Sequence, residues 1–183
     1  FCTAYCGILA HHTLCATATT GLQISEATGL RIHRFLSFDH GGGQQIAARI
    51  AYNEIDLELP GKQPCAYYCI TSDQDSTFDF LSSLFLSFVF IRLVRYADEH
   101  CPGGELPVPV HVLGEELCAC GVIPDLSRKI SVIRSRNLSM SCVFQNLAGL
   151  QNRYPYNQWQ EILGNCDVQL FLGCTDALKA EFI

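Results

Sequence analysis

Charge is scarce in this sequence. Only 16% of its 183 residues are Asp, Glu, Lys or Arg, against about 25% in an ordinary soluble domain. The formal balance is −6, which argues against wholesale coating of nucleic acid. No G-x-x-x-x-G-K-[ST] run occurs anywhere, so no P-loop cradle for phosphates is encoded. Gly41 to Ile50 (GGGQQIAARI) is rich in glycine but has no lysine. No C-x-x-C pair occurs either, which argues against a zinc site. His11 and His12 are adjacent and cannot share a helix face; they read as solvated. No apolar run is long enough to cross a membrane. The longest, Phe80 to Ile91, is twelve residues, about 18 Å of helix against a hydrocarbon core of roughly 30 Å.

Apolar residues, by contrast, are plentiful. They make up 49% of the chain, and aromatics 10%. That excludes disorder, collagen and coiled coil, and the length suits one domain with a sizeable core. The eleven cysteines are odd in number and spread from Cys2 to Cys174. They read as reduced, small apolar residues. Cations cluster in one stretch: residues 121–160 hold Arg128, Lys129, Arg134, Arg136 and Arg153 against one acid, Asp125. The bland reading of Arg128, Lys129 and Arg153 is a solvated basic face.

Residues 1–50 show no clean period. From residue 51 the pattern is regular. Cys65 to Thr71 (CAYYCIT) predicts a buried strand. The polar run Ser72 to Thr77 leads into a helix over about 77–96, apolar all round and therefore buried. Val108 to Gly114 (VPVHVLG) predicts a second strand, covered on both faces. Gly121 to Pro124 predicts a turn, and Pro124 the start of a helix with Leu126, Ile130 and Ile133 on its core stripe. Leu138 to Gln145 predicts a third strand, two short helices follow, and Asp167 to Gly173 predicts a fourth strand before a terminal helix. Alternating strands and helices predict an α/β fold, a mostly parallel sheet flanked by helices. Ligands of such sheets sit beyond the carboxyl ends of the strands. That directs attention to Ser72–Asp75, Glu115–Glu116, Gln145 and Gly173–Asp176.

Four apolar strand residues followed by two acids, in HVLGEE, have the Walker B pattern. The first acid there helps hold Mg²⁺ through water and the second polarises an attacking water. Strand-end acids are common, and the motif by itself is weak.

Several longer stretches add to it: IDLELPGKQPCAYYCI, SDQDSTFDFLSSLF, LPVPVHVLGEE, GVIPDL, IRSRNLSMSCVFQNLAGLQNRY and ILGNCDVQLFLGCTDALKAEFI. From about Ala51 onward the chain resembles the ATPase domain of type IV secretion coupling proteins, the TraG/TraD-type conjugative DNA transfer family. The resemblance implies a RecA-like, P-loop NTPase-type fold, incomplete because the P-loop strand is missing. It implies residues 1–50 as a poorly matching segment and 51–183 as the C-terminal part of the ATPase domain. It also implies ATP and Mg²⁺, and a homo-hexameric motor on the cytoplasmic face of the bacterial plasma membrane. That motor delivers relaxase-bound single-stranded DNA to a secretion channel. By the same resemblance, Glu115 stands at the Walker B position, Glu116 at the catalytic glutamate and Gln145 at a sensor-like glutamine. Arg134 stands where the family contacts nucleotide across a subunit interface, with Arg136 as a neighbour able to substitute. Three departures accompany it: the absent P-loop, Glu115 in place of aspartate, and Gly114 where the family has a bulky apolar residue. Other readings fit the same residues: a non-catalytic interaction module, a degenerate remnant of such an ATPase, or another RecA-like DNA translocase. In the RecA-like order the missing strand lies between the third and last strands here, so the last strand is expected to lack a neighbour.

Overall fold

The computed structural model describes residues 5–10, 31–37, 55–70, 76 and 79–171. Its strands are β1 (Tyr5–Ala10), β2 (Arg31–Ser37), β3 (Cys65–Ile70), β4 (Val110–Gly114) and β5 (Leu138–Cys142). The helices are α1 (Leu59–Lys62), α2 (Asp79–His100), α3 (Leu126–Ile133), α4 (Leu147–Arg153) and α5 (Gln158–Gly164). The class is α/β, as the alternating pattern requires. The five strands form one sheet in the order β2-β3-β1-β4-β5. β2 pairs with β3, and β4 with β5, in parallel. β1 runs antiparallel between β3 and β4.

Three expectations change here. The sheet is mixed, because residues 1–50 supply two strands where no periodicity announced them. β1 stands between β3 and β4 and runs antiparallel to both of these neighbours. Second, residues 167–171 form no strand, and Val168 and Leu170 are exposed. Among the described strands β5 is an edge, and these residues do not pair with its open side. A strand is stable only when its backbone groups find another strand. Third, α2 is not buried all round. Ser82, Phe85, Leu86, Val89, Phe90, Leu93 and Ala97 face the core, while Phe80, Leu84, Phe88 and Ile91 form an exposed stripe. Among the described residues α2 is the one helix long and apolar enough to cross a membrane, and half of that window is buried within the fold. The expected sites at Ser72–Asp75 and Gly173–Asp176, and the terminal helix, lie outside the described residues.

The core lies between α2 and the sheet. Cys65, Tyr67, Cys69, Val110, Val112 and Leu138 meet Phe85, Leu86, Val89, Phe90 and Leu93. Along β4 burial alternates: Val110, Val112 and Gly114 are buried, His111 and Leu113 half-buried. The expectation of β4 covered on both faces is thus met on one. On the other face His111 joins β4 to β5, with Nδ1 2.7 Å from Ser139 Oγ and Nε2 3.0 Å from Ser141 Oγ. Burial lowers the His111 pKa, so a neutral ring uses one nitrogen as donor and the other as acceptor.

The helix over 126–133 begins two residues after Pro124. The turn before it is held from a distance: the Ile123 N–H donates to the buried Tyr154 hydroxyl at 3.1 Å. Tyr154→Phe removes that acceptor and leaves a buried N–H unpaired. We expect a loss of about 2 kcal/mol in urea unfolding; an unchanged midpoint would show that water replaces the bond.

Buried thiols make stability depend on pH. Burial pushes Cys65 up to about 11, and Cys69 and Cys142 up to about 12, from an ordinary 9.0. A raised folded pKa means the unfolded chain ionises first. The stability is fully present below pH 9.0 and falls as pH rises toward 11 to 12. Each such thiol removes about 1.4 kcal/mol per pH unit in that window. Urea unfolding under reducing conditions from pH 8 to 11 is expected to show a steep decline above pH 9 and a flat response below it.

Candidate functional site

β4 and β5 end side by side, and their pairing continues past the last strand residues. Val143 N–H donates to Gly114 O at 2.9 Å, and Leu117 N–H donates to Val143 O at 2.9 Å. Leu117 is fully buried, and residues Leu117–Ala119 form one 3-10 turn. Reversing the chain so soon after a strand forces Glu116 into the left-handed region, with φ 51° and ψ 53°. That conformation is unfavourable for a residue with a Cβ. It is held by the buried Leu117 on one side and the short Ala119 N–H to Glu116 O bond of 2.7 Å on the other.

The strain places a carboxylate at the carboxyl rim of the sheet. Gln145, three residues beyond β5, donates from Nε2 to Glu116 Oε1 at 3.0 Å. Two residues singled out from sequence are therefore brought into direct contact. They line a cleft of about 300 Å³ together with Cys118, Asn146, Gly149 and Arg153. Asn146 caps α4, its side chain accepting from the Gly149 N–H at 2.6 Å.

The remaining candidates are placed differently. Glu115 is half-buried; its carbonyl lies 3.9 Å from Cys120 Sγ. Arg134 precedes β5 and so lies at the opposite end of that strand from Gln145. It pairs with Asp167 at 3.0 Å, both side chains largely exposed, a contact of little energetic weight. Arg136 is committed elsewhere: it bonds Asp98 of α2 at 3.2 Å and the Val132 carbonyl at 3.0 Å. It ties the segment before β5 to α2. Lys129 donates to the Pro124 carbonyl, while Arg128 is exposed. Arg153 is the residue whose place the sequence reading missed. It is half-buried in the cleft beside Glu116 and Gln145, not on an open basic face.

The fit to a magnesium nucleotide is one-sided. A carboxylate, an amide and a guanidinium meet at the rim, which suits the reacting end of a phosphate chain. No G-x-x-x-x-G-K-[ST] run to cradle the other phosphates occurs in the sequence, and among the described residues no three His, Cys, Asp or Glu side chains are grouped to hold a metal directly.

Residues 109–183 match a family model described as the TraM recognition site of TraD and TraG. This match covers fewer than half of the residues and includes Glu115, Glu116, Arg134 and Gln145. It supports the likeness of this region to the C-terminal part of TraG/TraD coupling proteins. A stretch of 64 residues, 35% of the chain, is 56% identical to a methylglyoxal synthase of Geobacillus thermodenitrificans and covers 44% of that protein. Over 64 residues the chain is also 55% identical to methylglyoxal synthases of Geobacillus sp. and Listeria monocytogenes, covering 46% and 48% of them and 35% of this chain. The chain spans less than half the length of these relatives. No solved structure matches.

Proposed function

We propose that residues 51–183 are the C-terminal part of the RecA-like ATPase domain of a conjugative coupling protein. In the assembled motor this part supplies the hydrolytic edge, and a P-loop outside the present sequence supplies the phosphate cradle. The observation that carries the reading is the 3.0 Å bond from Gln145 to Glu116, at the adjoining carboxyl ends of two parallel strands. The family match over residues 109–183 supports it independently.

In this reading Glu116 takes a proton from the attacking water, and Gln145 holds the carboxylate in line for it. The strained backbone at Glu116 fixes the carboxylate at the rim without depending on a flexible loop. Glu115 is the residue that would hold Mg²⁺ through water; when bound, the metal neutralises charge on the phosphates. Arg134, at the far end of β5, acts on a neighbouring subunit's nucleotide in a hexameric ring. The motor would act at the cytoplasmic face of the plasma membrane on single-stranded DNA with its relaxase. A TraM-type protein is a partner suggested by the description of the matched family.

The test uses the intact coupling protein. Glu116→Gln is expected to keep nucleotide bound while hydrolysis falls by roughly 10² to 10⁴. Unchanged turnover would remove Glu116 from the mechanism. The present chain by itself is expected to bind no ATP analogue at micromolar concentration, because it has no cradle; tight stoichiometric binding would overturn the division of labour.

A second reading concerns residues 1–50, which stand outside the coupling-protein resemblance. The methylglyoxal-synthase likeness runs over 64 residues, more than this segment holds, and we read it as a sign that part of the chain has a different ancestry. The antiparallel β1, set among strands that all run the other way, is what favours it. With less than half of a synthase present, we assign no synthase activity to the chain.

A further inference from the structure

The cleft beyond β4 and β5 contains a cation to which the sequence pattern gave no part in the site. Arg153 is the last residue of α4. It is half-buried, and it forms no ion pair with any described residue. Arginines of this kind normally settle onto the nearest carboxylate. Here the nearest candidate in the cleft, Glu116, is engaged by Gln145 instead. The positive field of Arg153 is felt inside the cleft: burial pushes the Cys118 thiol up, and Arg153 pulls it back. A half-buried guanidinium without a carboxylate, facing a cleft lined by the Gln145 and Asn146 amides, has the chemistry of a phosphate site.

We propose that Arg153 is the phosphate-binding cation of this cleft, acting on the anion held by its own subunit. The ligand class is a terminal phosphoryl or pyrophosphoryl group. The inference deepens the ATPase reading and rests on it for the identity of the substrate, but the anion site stands on geometry of its own. It divides the two arginine roles. Arg134 lies at the other end of β5, outside the cleft, whereas Arg153 shares the cleft with Glu116 and Gln145. Glu116 repels the bound anion, which is useful at a site that must release its product.

The experiment uses the full chain and inorganic pyrophosphate, at constant ionic strength with chloride as balance. The Arg153 Nε–H and Gln145 side-chain amide resonances are followed by NMR. We expect both to shift and saturate in the millimolar range. Arg153→Gln is expected to weaken binding at least 10-fold, Arg153→Lys to restore most of it, and Arg128→Gln, at an exposed position outside the cleft, to leave it within 2-fold. Glu116→Gln is expected to tighten it about 3-fold by removing the repelling charge. Equal pyrophosphate binding by Arg153→Gln, or shifts that fail to reach Arg153 and Gln145, would overturn the proposal. So would loss of binding in Arg128→Gln with Arg153 intact. The two readings fail separately. Pyrophosphate binding at Arg153 with hydrolysis indifferent to Glu116→Gln in the intact protein sinks the ATPase reading alone. Hydrolysis dependent on Glu116 with no anion at Arg153 sinks this proposal alone.

Discussion

Gly121→Ala is expected to destabilise this fold by about 3 to 4 kcal/mol, a large share of a typical domain's 5–15 kcal/mol. Two penalties add. Gly121 has φ +76°, where a side chain costs about 1–2 kcal/mol. A Cβ there would also stand 2.8 Å from the Asp79 carbonyl oxygen and 3.1 Å from its carbon. Those are backbone atoms at the first turn of α2, so no rotamer can move them aside. Relief requires shifting either α2 or the 121–124 turn, a strain of about 1–3 kcal/mol. Gly103 is the internal control. Its φ is +77°, but a Cβ there meets nothing within 4 Å, so Gly103→Ala is expected to cost only the conformational part, about 1 kcal/mol. Urea unfolding of both variants separates the terms. Equal losses would show that the approach to Asp79 relaxes freely.

The second large effect is at Glu116, where stability and activity are expected to move in opposite directions. Its left-handed backbone is unfavourable for any residue except glycine, by roughly 1–2 kcal/mol. Glu116→Gly relieves this strain, partly offset by the roughly 0.5–1 kcal/mol that glycine's freedom in the unfolded chain costs. The net expectation is a gain of up to about 1 kcal/mol in the chain described here. Both substitutions lose the Gln145 bond, but Glu116→Ala also keeps the strain, so it is expected to be the less stable of the two. In the intact protein both substitutions remove the carboxylate, and hydrolysis is expected to fall by at least about 10². A more stable yet inactive Glu116→Gly, beside a less stable and equally inactive Glu116→Ala, would identify the strain as part of the site. If Glu116→Gly is the less stable of the two, the left-handed backbone is not a strain that the fold is holding.

Some of this was legible from short runs of residues. CAYYCI and VHVLG each place apolar side chains where a strand must bury them, and both are strands. LSMSC is a strand as well, although only Leu138 in it is fully buried. The long apolar helix was evident, but its exposed stripe was not. Phe80, Leu84 and Phe88 are as apolar as Phe85 and Val89, and only the position of the sheet decides which set is covered. Gly114 reads as a weak point in a strand. In the fold it is buried, and a Cβ would meet Met140 Cε at 3.2 Å and Leu117 Cδ1 at 3.4 Å. The close packing of the 117 turn uses the space a side chain would need. Glu116 and Gln145 were drawn together by a resemblance over many residues; their 3.0 Å bond is what the fold adds. Arg153 escaped because a cation near a helix end carries no signal of what it faces.

The sequence by itself determined the fold class, the strands that end at the rim and the lack of a phosphate cradle, since these follow from local patterns of residue type. Tertiary structure decided the rest. β1 enters the middle of the sheet because strand neighbours are chosen by backbone pairing across distant segments, not by periodicity. DVQLF has an apolar pattern, but its described residues form no strand, because an apolar pattern by itself does not bring a segment into register with a sheet edge. Which arginine faces the cleft, which ties α2 down and which lies at the opposite end depends on where β5 begins and ends. That is a property of packing, and no spacing of charges encodes it.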